Sequence, residues 1–134
     1  HGPEAHATQT QSQEGAMQLI LTSDSPETQL MALVLTKAAL DQGATPHILL
    51  CSDAGALALK TPPPAATTPL APKGMSPQGM LENLMAAGVQ VDVCAIYLPN
   101  RPFGEEALLA GIGVASPADV ATRFMGKEAA VLTF

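Results

Sequence analysis

The sequence predicts an α/β protein of three layers (α/β/α), in which helices cover both faces of a mostly parallel five-stranded sheet. Compact apolar runs alternate with amphipathic helical segments along the chain, which is typical of a parallel sheet. Three Ser-Pro pairs, beginning at residues 25, 76 and 116, each precede a helical segment. The 134 residues suffice for one domain with its own core, and nothing indicates a second domain.

The first half of the chain contains two predicted strands and one long helix. Residues 16–22 (AMQLILT) and 46–51 (PHILLC) are short apolar runs bounded by turn residues, as buried parallel strands are. Between them we expect a helix with Ser25 as its N-cap, Pro26 at its first position and Gly43 at its end.

A Pro-rich segment separates the two halves of the predicted domain. Residues 61–75 are expected to form a semi-rigid surface loop and neither helix nor central strand, because proline lacks the amide hydrogen and fixes φ. A helix capped by Ser76 follows this loop. The third strand is expected over residues 89–97 (VQVDVCAIY), with Cys94 where the strand should end.

The last part of the chain completes the predicted sheet. A short helix near Gly104, a short fourth strand and a helix capped by Ser116 lead to a closing strand at residues 128–134. The domain therefore spans residues 16–134. Residues 1–15 (HGPEAHATQTQSQEG) hold nothing that could bury an apolar face, and we expect them to form a disordered arm.

The same arm bears on location. It has no initiator methionine and is polar, Gln-rich and almost uncharged, as a mature end left by signal-peptide cleavage or an added segment would be. We expect a periplasmic or otherwise exported protein, with a cytoplasmic one as the alternative. No apolar run approaches the roughly 18 residues of a membrane span, so no span is expected.

Charge and motif content exclude several classes of function. Twelve Asp and Glu stand against six Lys and Arg, so no basic stripe exists to bind nucleic acid. Neither glycine-rich phosphate-binding fingerprint is present. Two of the three histidines, His1 and His6, lie in the arm, and His47 enters the second strand far from its carboxyl end. A Cys-His hydrolase is therefore not expected.

Both cysteines are predicted to lie at the carboxyl edge of the sheet, where open α/β sheets gather ligands and reacting groups. Cys51 ends the second strand and Cys94 ends the third. Each is also consistent with a small buried core residue. Local charge favours Cys94 as a reactive thiol, because the prolines of "LPNRP" turn the chain so that the Arg101 guanidinium can fold back and stabilise a thiolate. A solvated loop charge is the alternative for Arg101.

A soft-metal site is a second interpretation of the same residues. Cys51, Cys94 and Met75 are donors suited to Cu(I). Met80 and Met85 fit better on the apolar face of a helix. The chain has no CxxC or HxxxH spacing, so the metal hypothesis depends on residues that are distant in sequence.

Residues 76–134 resemble the DsrE/DsrF-like family, the small sulfur-relay proteins with a YchN-like fold. The resemblance depends on a helix with a Gly-Val exit at residues 88–89, a strand that ends in Val-Cys at 93–94, a Gly-Ile or Gly-Val step at 111–114, and a short helix before a Gly-bounded last strand. Residues 19–60 are similar to the family's first two strands and first helix. The resemblance thus covers about residues 16–134.

This resemblance implies a three-layer domain that assembles into homo-trimers or homo-hexamers. It implies that Cys94 carries a persulfide from a sulfur-donor protein to an acceptor protein, without a cofactor, and that Arg101 stabilises the anion. Strands two and three are neighbours in the family layout, so Cys51 and Cys94 would lie close enough to form a disulfide or to hold Cu(I) together. A non-catalytic oligomeric binding module with structural cysteines is a third alternative.

Overall fold

The computed structural model describes residues 15–134, so the predicted arm lies outside the described residues except for Gly15. Five strands form one sheet in the order β4-β3-β2-β1-β5, and every adjacent pair is parallel. The prediction of a mostly parallel five-stranded sheet is confirmed. The strands are β1 (Ala16–Leu21), β2 (Thr45–Leu50), β3 (Gln90–Val93), β4 (Gly113–Val114) and β5 (Ala130–Thr133).

The helices begin at the predicted Ser-Pro pairs. The hydroxyls of Ser25, Ser76 and Ser116 each accept a hydrogen bond from the backbone N–H three residues on. A further helix of four residues lies in the Pro-rich segment, and three 3₁₀ segments lie at 52–58, 98–100 and 105–107. The helices are α1 (Pro26–Asp41), α2 (Pro64–Thr67), α3 (Pro77–Ala86) and α4 (Pro117–Phe124).

The order of the strands explains the three layers. From β1 to β4 each new strand is added on the same side of the last, whereas β5 returns across the sheet to pair with β1. Crossovers between parallel strands are right-handed, so reversing the direction moves the connecting helix to the other face. Helices α1 and α3 therefore cover one face and α4 covers the other. The predicted three-layer α/β/α architecture is confirmed.

The two faces of the sheet differ in composition. Side chains alternate between faces along a strand. The aliphatic face, packed against α1 and α3, presents fully or almost fully buried side chains: Leu19, Leu21, Ile48, Leu50, Val91 and Val93. The opposite face, here called the α4 face, carries a small apolar cluster of Leu49, Ala115 and Val120 beside polar side chains. The main core thus lies on the aliphatic face.

Two local predictions differ from the structure. Residues 61–75 are not a loop throughout, because Pro64–Thr67 forms a helical turn with Ala66 buried; proline is tolerated in a first helical turn, where its missing N–H would have no partner. The third strand ends at Val93 and not at Tyr97, because the Tyr97 N–H bonds to the Cys94 carbonyl and turns the chain out of the sheet.

None of the helices between residues 15 and 134 has both the length and the apolar character needed to cross a membrane.

Candidate functional site

The two cysteines lie side by side at the carboxyl edge of the sheet. Strands β2 and β3 are parallel neighbours whose last register pair is Leu50 with Val93, and each cysteine is the next residue. The Cys94 N–H donates to the Leu50 carbonyl at 3.0 Å, which continues the ladder by one step. Both side chains pack against the cluster of the α4 face. The family layout implied this closeness, and the structure brings the pair together.

The two thiols are free and half-buried, and they lie next to each other. Burial is the main cause that raises the pKa of Cys51 to about 12, and the hydrogen bond to Cys94 and the charge of Cys94 add to it. Cys51 therefore stays protonated at neutral pH. Burial and the neighbouring Cys94 thus both act to keep the proton on Cys51.

Cys94 lies at the end of a strand whose connection leaves the sheet on the opposite face from that of its neighbour β4. The chain leaves β3 toward the aliphatic side, where Tyr97 joins the main core, and leaves β4 toward the opposite side through α4. Adjacent strands whose connections diverge in this way open a crevice at their carboxyl ends, where α/β proteins bind ligands. Ala115 follows β4 and packs in the same cluster as the cysteines. The position favours a reacting role for Cys94.

Arg101 folds back, as predicted, but toward the backbone carbonyl of Ser52, the residue after Cys51. The guanidinium stacks over the Tyr97 ring at 4.4 Å from its centroid. Its Nη2 donates to the carbonyl of Ser52, the residue after Cys51, at 3.5 Å. Within residues 15–134 no hydrogen bond joins Arg101 to Cys94. Its role as a stabiliser of the sulfur anion stays a prediction.

The short helix predicted near Gly104 does not offer a free amide end. It is a 3₁₀ turn of three residues, Glu105–Ala107. The Gly104 N–H donates to Glu106 Oε1 at 3.0 Å, so the local carboxylate already occupies that donor.

Sequence reasoning missed the contact that fixes the loop after Cys94. Tyr97 is almost fully buried, and a Cβ built on Gly55 would lie 2.6 Å from its Cζ, so the ring packs where a side chain is missing. The sequence offered only a weak sign of this contact: Tyr97 is the one tyrosine of the chain and lies in an apolar run. Ser52 has φ of 51°, a left-handed conformation that no residue pattern indicated.

The structure does not bring Met75 to the cysteines. Met75 lines a groove of about 750 Å³ between α1 and residues 70–75, and neither cysteine lines that groove. Among residues 15–134 no group of three or more His, Cys, Asp or Glu side chains is arranged to hold a metal ion. A shared Cu(I) site would therefore depend on the two thiols.

His47 lies away from the pair, as predicted. It sits near the start of β2, four residues before Cys51, and a strand places such residues about 13 Å apart. Burial and the charge of Arg123 lower the pKa of His47, while Asp92 opposes them. Its Nδ1 is buried without a hydrogen-bond partner among the described residues. The other two histidines lie outside the described residues.

Solved structures resemble this architecture over most of the chain. The ychN protein from E. coli superposes with a TM-score of 0.69 at 24% identity, over 89% of this chain and 99% of that one. The chain has the YchN-like fold. A protein of unknown function from Methanobacterium thermoautotrophicum, MTH1491, superposes with a TM-score of 0.62 at 14% identity, again over 89% and 99%. The predicted resemblance is thus confirmed for the fold.

The sequence comparisons add no function. No family model matches the chain, and no curated protein matches it. At these identities the YchN-like fold leaves open what the site does.

Proposed function

We propose that this protein carries sulfane sulfur as a persulfide on Cys94 and passes it from a donor protein to an acceptor protein. The observation that carries the proposal is the pair of free, half-buried thiols side by side at the carboxyl edge of the sheet. A sulfur carrier needs a thiolate that partner thiols can reach. Cys94 begins the loop that holds Tyr97 and Arg101 beside the pair, and we therefore assign it as the reacting member.

Arg101 supports the same assignment through charge. The guanidinium is held on the Tyr97 ring and on the Ser52 carbonyl, within the loop that starts at Cys94. A fixed positive charge beside the crevice favours an incoming anion and the persulfide anion that results. We therefore propose Arg101 as a residue that stabilises the anion through space.

Sulfur uptake by defined variants tests the proposal. The reduced Cys51→Ser, Cys94→Ser and double Cys→Ser proteins are exposed to polysulfide without oxygen, desalted, and measured by intact mass spectrometry. We expect Cys51→Ser to gain one sulfur atom and the two variants that lack Cys94 to gain none. Arg101→Gln in the Cys51→Ser background should load more slowly, whereas Arg101→Lys should retain most of the rate because it keeps the charge.

The opposite results would overturn the proposal. Equal uptake by Cys94→Ser would assign the sulfur to Cys51. No uptake by any variant, with both thiols also inert to alkylation in the folded protein, would leave the binding module with structural cysteines as the function to pursue.

A Cu(I) site on the same two thiols is a second candidate, favoured by one observation. Two neighbouring free cysteines supply the soft ligands that Cu(I) prefers. Against it, a metal must displace the proton of Cys51, whose pKa is about 12. Copper titration separates the two functions, since a shared metal site loses affinity in both single Cys→Ser variants and a persulfide carrier in neither.

We also propose that the chain forms a homo-trimer or homo-hexamer. Strand β5 is at an edge of the sheet and all four of its residues are exposed. Leu132 of this strand and Leu35 of α1 are large, exposed apolar side chains that line one cavity. Such a surface favours association. Light scattering should give three or six chains, and Leu132→Lys should reduce that number; a wild-type monomer would contradict the proposal.

The location that we propose is periplasmic or otherwise exported. An exported carrier would exchange sulfur with partners outside the cytoplasm, where thiol pairs are readily oxidised. Cell fractionation of the natural protein checks this directly, and recovery in the cytoplasmic fraction would contradict it.

A further inference from the structure

The site holds one thiol more than a carrier requires. A persulfide on Cys94 needs a donor and an acceptor, and neither step uses a second cysteine of the same chain. Cys51 is nevertheless the immediate neighbour of Cys94 across the two strands and is half-buried with it. A second thiol in contact with the sulfur-bearing atom has a chemical consequence.

The backbone places the two cysteines at a distance that a disulfide can span. Each follows the register pair that ends β2 and β3, and the Cys94 N–H still bonds to the Leu50 carbonyl. Neighbouring strands lie about 4.8 Å apart, which falls within the Cα separation of about 4.4–6.8 Å that disulfides require. Both side chains pack against the cluster of the α4 face, so the two thiols lie on the same side of the sheet.

We propose that Cys51 is a resolving thiol, which attacks Cys94 Sγ of the loaded protein, forms the Cys51–Cys94 disulfide and releases hydrogen sulfide. This inference rests on the proposed persulfide on Cys94. It adds an activity to the carrier: when no acceptor thiol removes the sulfur first, the protein reduces it to sulfide.

The step balances without a further reactant. The new bond joins Cys51 Sγ to Cys94 Sγ, and the bond from Cys94 Sγ to the terminal sulfur breaks. The terminal sulfur leaves as HS⁻ and takes the proton of the Cys51 thiol. Two electrons pass from the two cysteine sulfurs, which are oxidised to the disulfide, to the sulfane sulfur, which is reduced to sulfide. An external dithiol then reduces the disulfide and returns the protein to its starting state.

The protonation of Cys51 fits the order of events. Burial first, and then the hydrogen bond to Cys94 and the charge of Cys94, raise the pKa of Cys51, so Cys51 keeps its proton in the empty site. In the loaded protein the negative charge of the persulfide lies on the terminal sulfur, one bond beyond Cys94 Sγ. The proton of Cys51 is then taken up by the departing sulfur.

A time course on the loaded protein tests the inference. Wild type, Cys51→Ser, Cys51→Ala and Cys94→Ser are loaded briefly with polysulfide without oxygen, freed of excess reagent by desalting, and followed by intact mass and sulfide assay. In wild type we expect the added sulfur to be lost as sulfide, one per chain, while the chain mass falls two hydrogens below that of the reduced chain. Peptide mapping should then find a Cys51–Cys94 disulfide.

The two Cys51 variants separate a resolving thiol from a mere hydrogen-bond donor. Both should retain the persulfide about tenfold longer than wild type or more, because a thiol in contact acts at a far higher effective concentration than one in solution. If Cys51→Ser, whose hydroxyl still donates, releases sulfide as fast as wild type, the resolving role is wrong. Equal persulfide lifetimes in wild type and both variants would also overturn it.

The persulfide carrier and its resolution can fail separately. If Cys51→Ser gains no sulfur, the proposed carrier function has failed and the resolving role falls with it. If Cys51→Ser gains one sulfur and wild type keeps its own for as long, the carrier function stands and only the resolving role is overturned.

Discussion

On the aliphatic face of the sheet, Leu19, Leu50 and Val93 are completely buried under α1 and α3, whereas on the α4 face the corresponding layer is one short helix. The α4 face carries Cys51 and Cys94 at its carboxyl edge and polar side chains below them. Burial on the first face supplies the stability, since apolar area removed from water is the main favourable term in folding. The second face can therefore leave reactive groups half-exposed.

The largest expected effect tests whether stability resides on the aliphatic face. Leu33 of α1 is completely buried, and Leu33→Ala should lower the free energy of unfolding by about 2–5 kcal/mol, because it removes buried methyl groups and leaves a cavity. Met31→Ala in the same helix is the control, since Met31 is 48% exposed. Urea unfolding followed by circular dichroism measures both. Equal losses in the two variants would mean that burial of α1 on the aliphatic face does not supply the stability.

A second substitution tests the contact that ties the cysteine loop to the core. A Cβ at Gly55 would overlap the Tyr97 ring, so Gly55→Ala should cost about 1–3 kcal/mol as an overpacked site does. It should also change the alkylation rate of Cys94, because Tyr97 anchors the loop that begins there. In a Tyr97→Ala background the same change should cost much less. A double-mutant cycle with no coupling would show that the overlap is relieved elsewhere.

The third prediction concerns the raised pKa of the Cys51 thiol. A thiol with a raised pKa reacts slowly until the pH approaches that value, so Cys51 in wild type should be alkylated slowly at pH 9–10. In Cys94→Ser the contributions of the Cys94 charge and thiol are removed, and Cys51 should react faster at the same pH. Burial still raises its pKa, so it should not reach the rate of an exposed cysteine. The measurement is iodoacetamide labelling followed by peptide mass spectrometry.

The raised pKa of Cys51 also makes the stability of the fold depend on pH. The folded-state pKa of Cys51 lies above its ordinary value of 9.0, so its contribution to stability is fully present below pH 9 and is lost as pH rises toward 12. Unfolding of Cys51→Ser should show a weaker dependence on pH in that window. A dependence identical to that of wild type would mean that Cys51 is not held protonated by the fold.

A smaller effect is expected at the polar groups of the α4 face. Arg123 lowers the pKa of His47, so Arg123→Gln should raise it, whereas Arg123→Lys should change it less because the charge remains. Asp92→Asn should lower it further. Two-dimensional NMR titration of His47 measures these shifts. Because the folded pKa is lowered, His47 destabilises the fold only as pH falls below its ordinary value of 6.5.

The faces also differ in how far the sequence predicts them. The first two buried strands are short, mostly apolar runs, the third alternates apolar and polar residues, and each main helix opens with Ser-Pro, so the element order follows from local residue patterns. The carboxyl-edge position of Cys51 and Cys94 follows in the same way, since both end such runs. Strand order is a property of the whole sheet, and the family resemblance was needed to make β2 and β3 neighbours.

What local patterns could not predict are contacts between distant segments. The packing of Tyr97 on Gly55 joins residues 42 positions apart, and a glycine in a helical segment gives no sign of what fills its space. The Arg101 contact with Ser52 joins residues 49 positions apart. The helical turn at Pro64–Thr67 was missed for another reason: three consecutive prolines exclude a helix interior, but they permit a helix start.

The smallest expected effect lies outside both faces of the sheet. Lys37 and Asp41 form an ion pair on the exposed side of α1, with Lys37 Nζ 2.7 Å from Asp41 Oδ1. Both side chains are exposed, so water and salt screen the pair, and Lys37→Gln should change the free energy of unfolding by no more than about 0.5 kcal/mol. Urea unfolding at low and high salt provides the measurement. A loss as large as that of Leu33→Ala would mean that this side of α1 is buried in an assembly, which would support the proposed oligomer over an isolated chain.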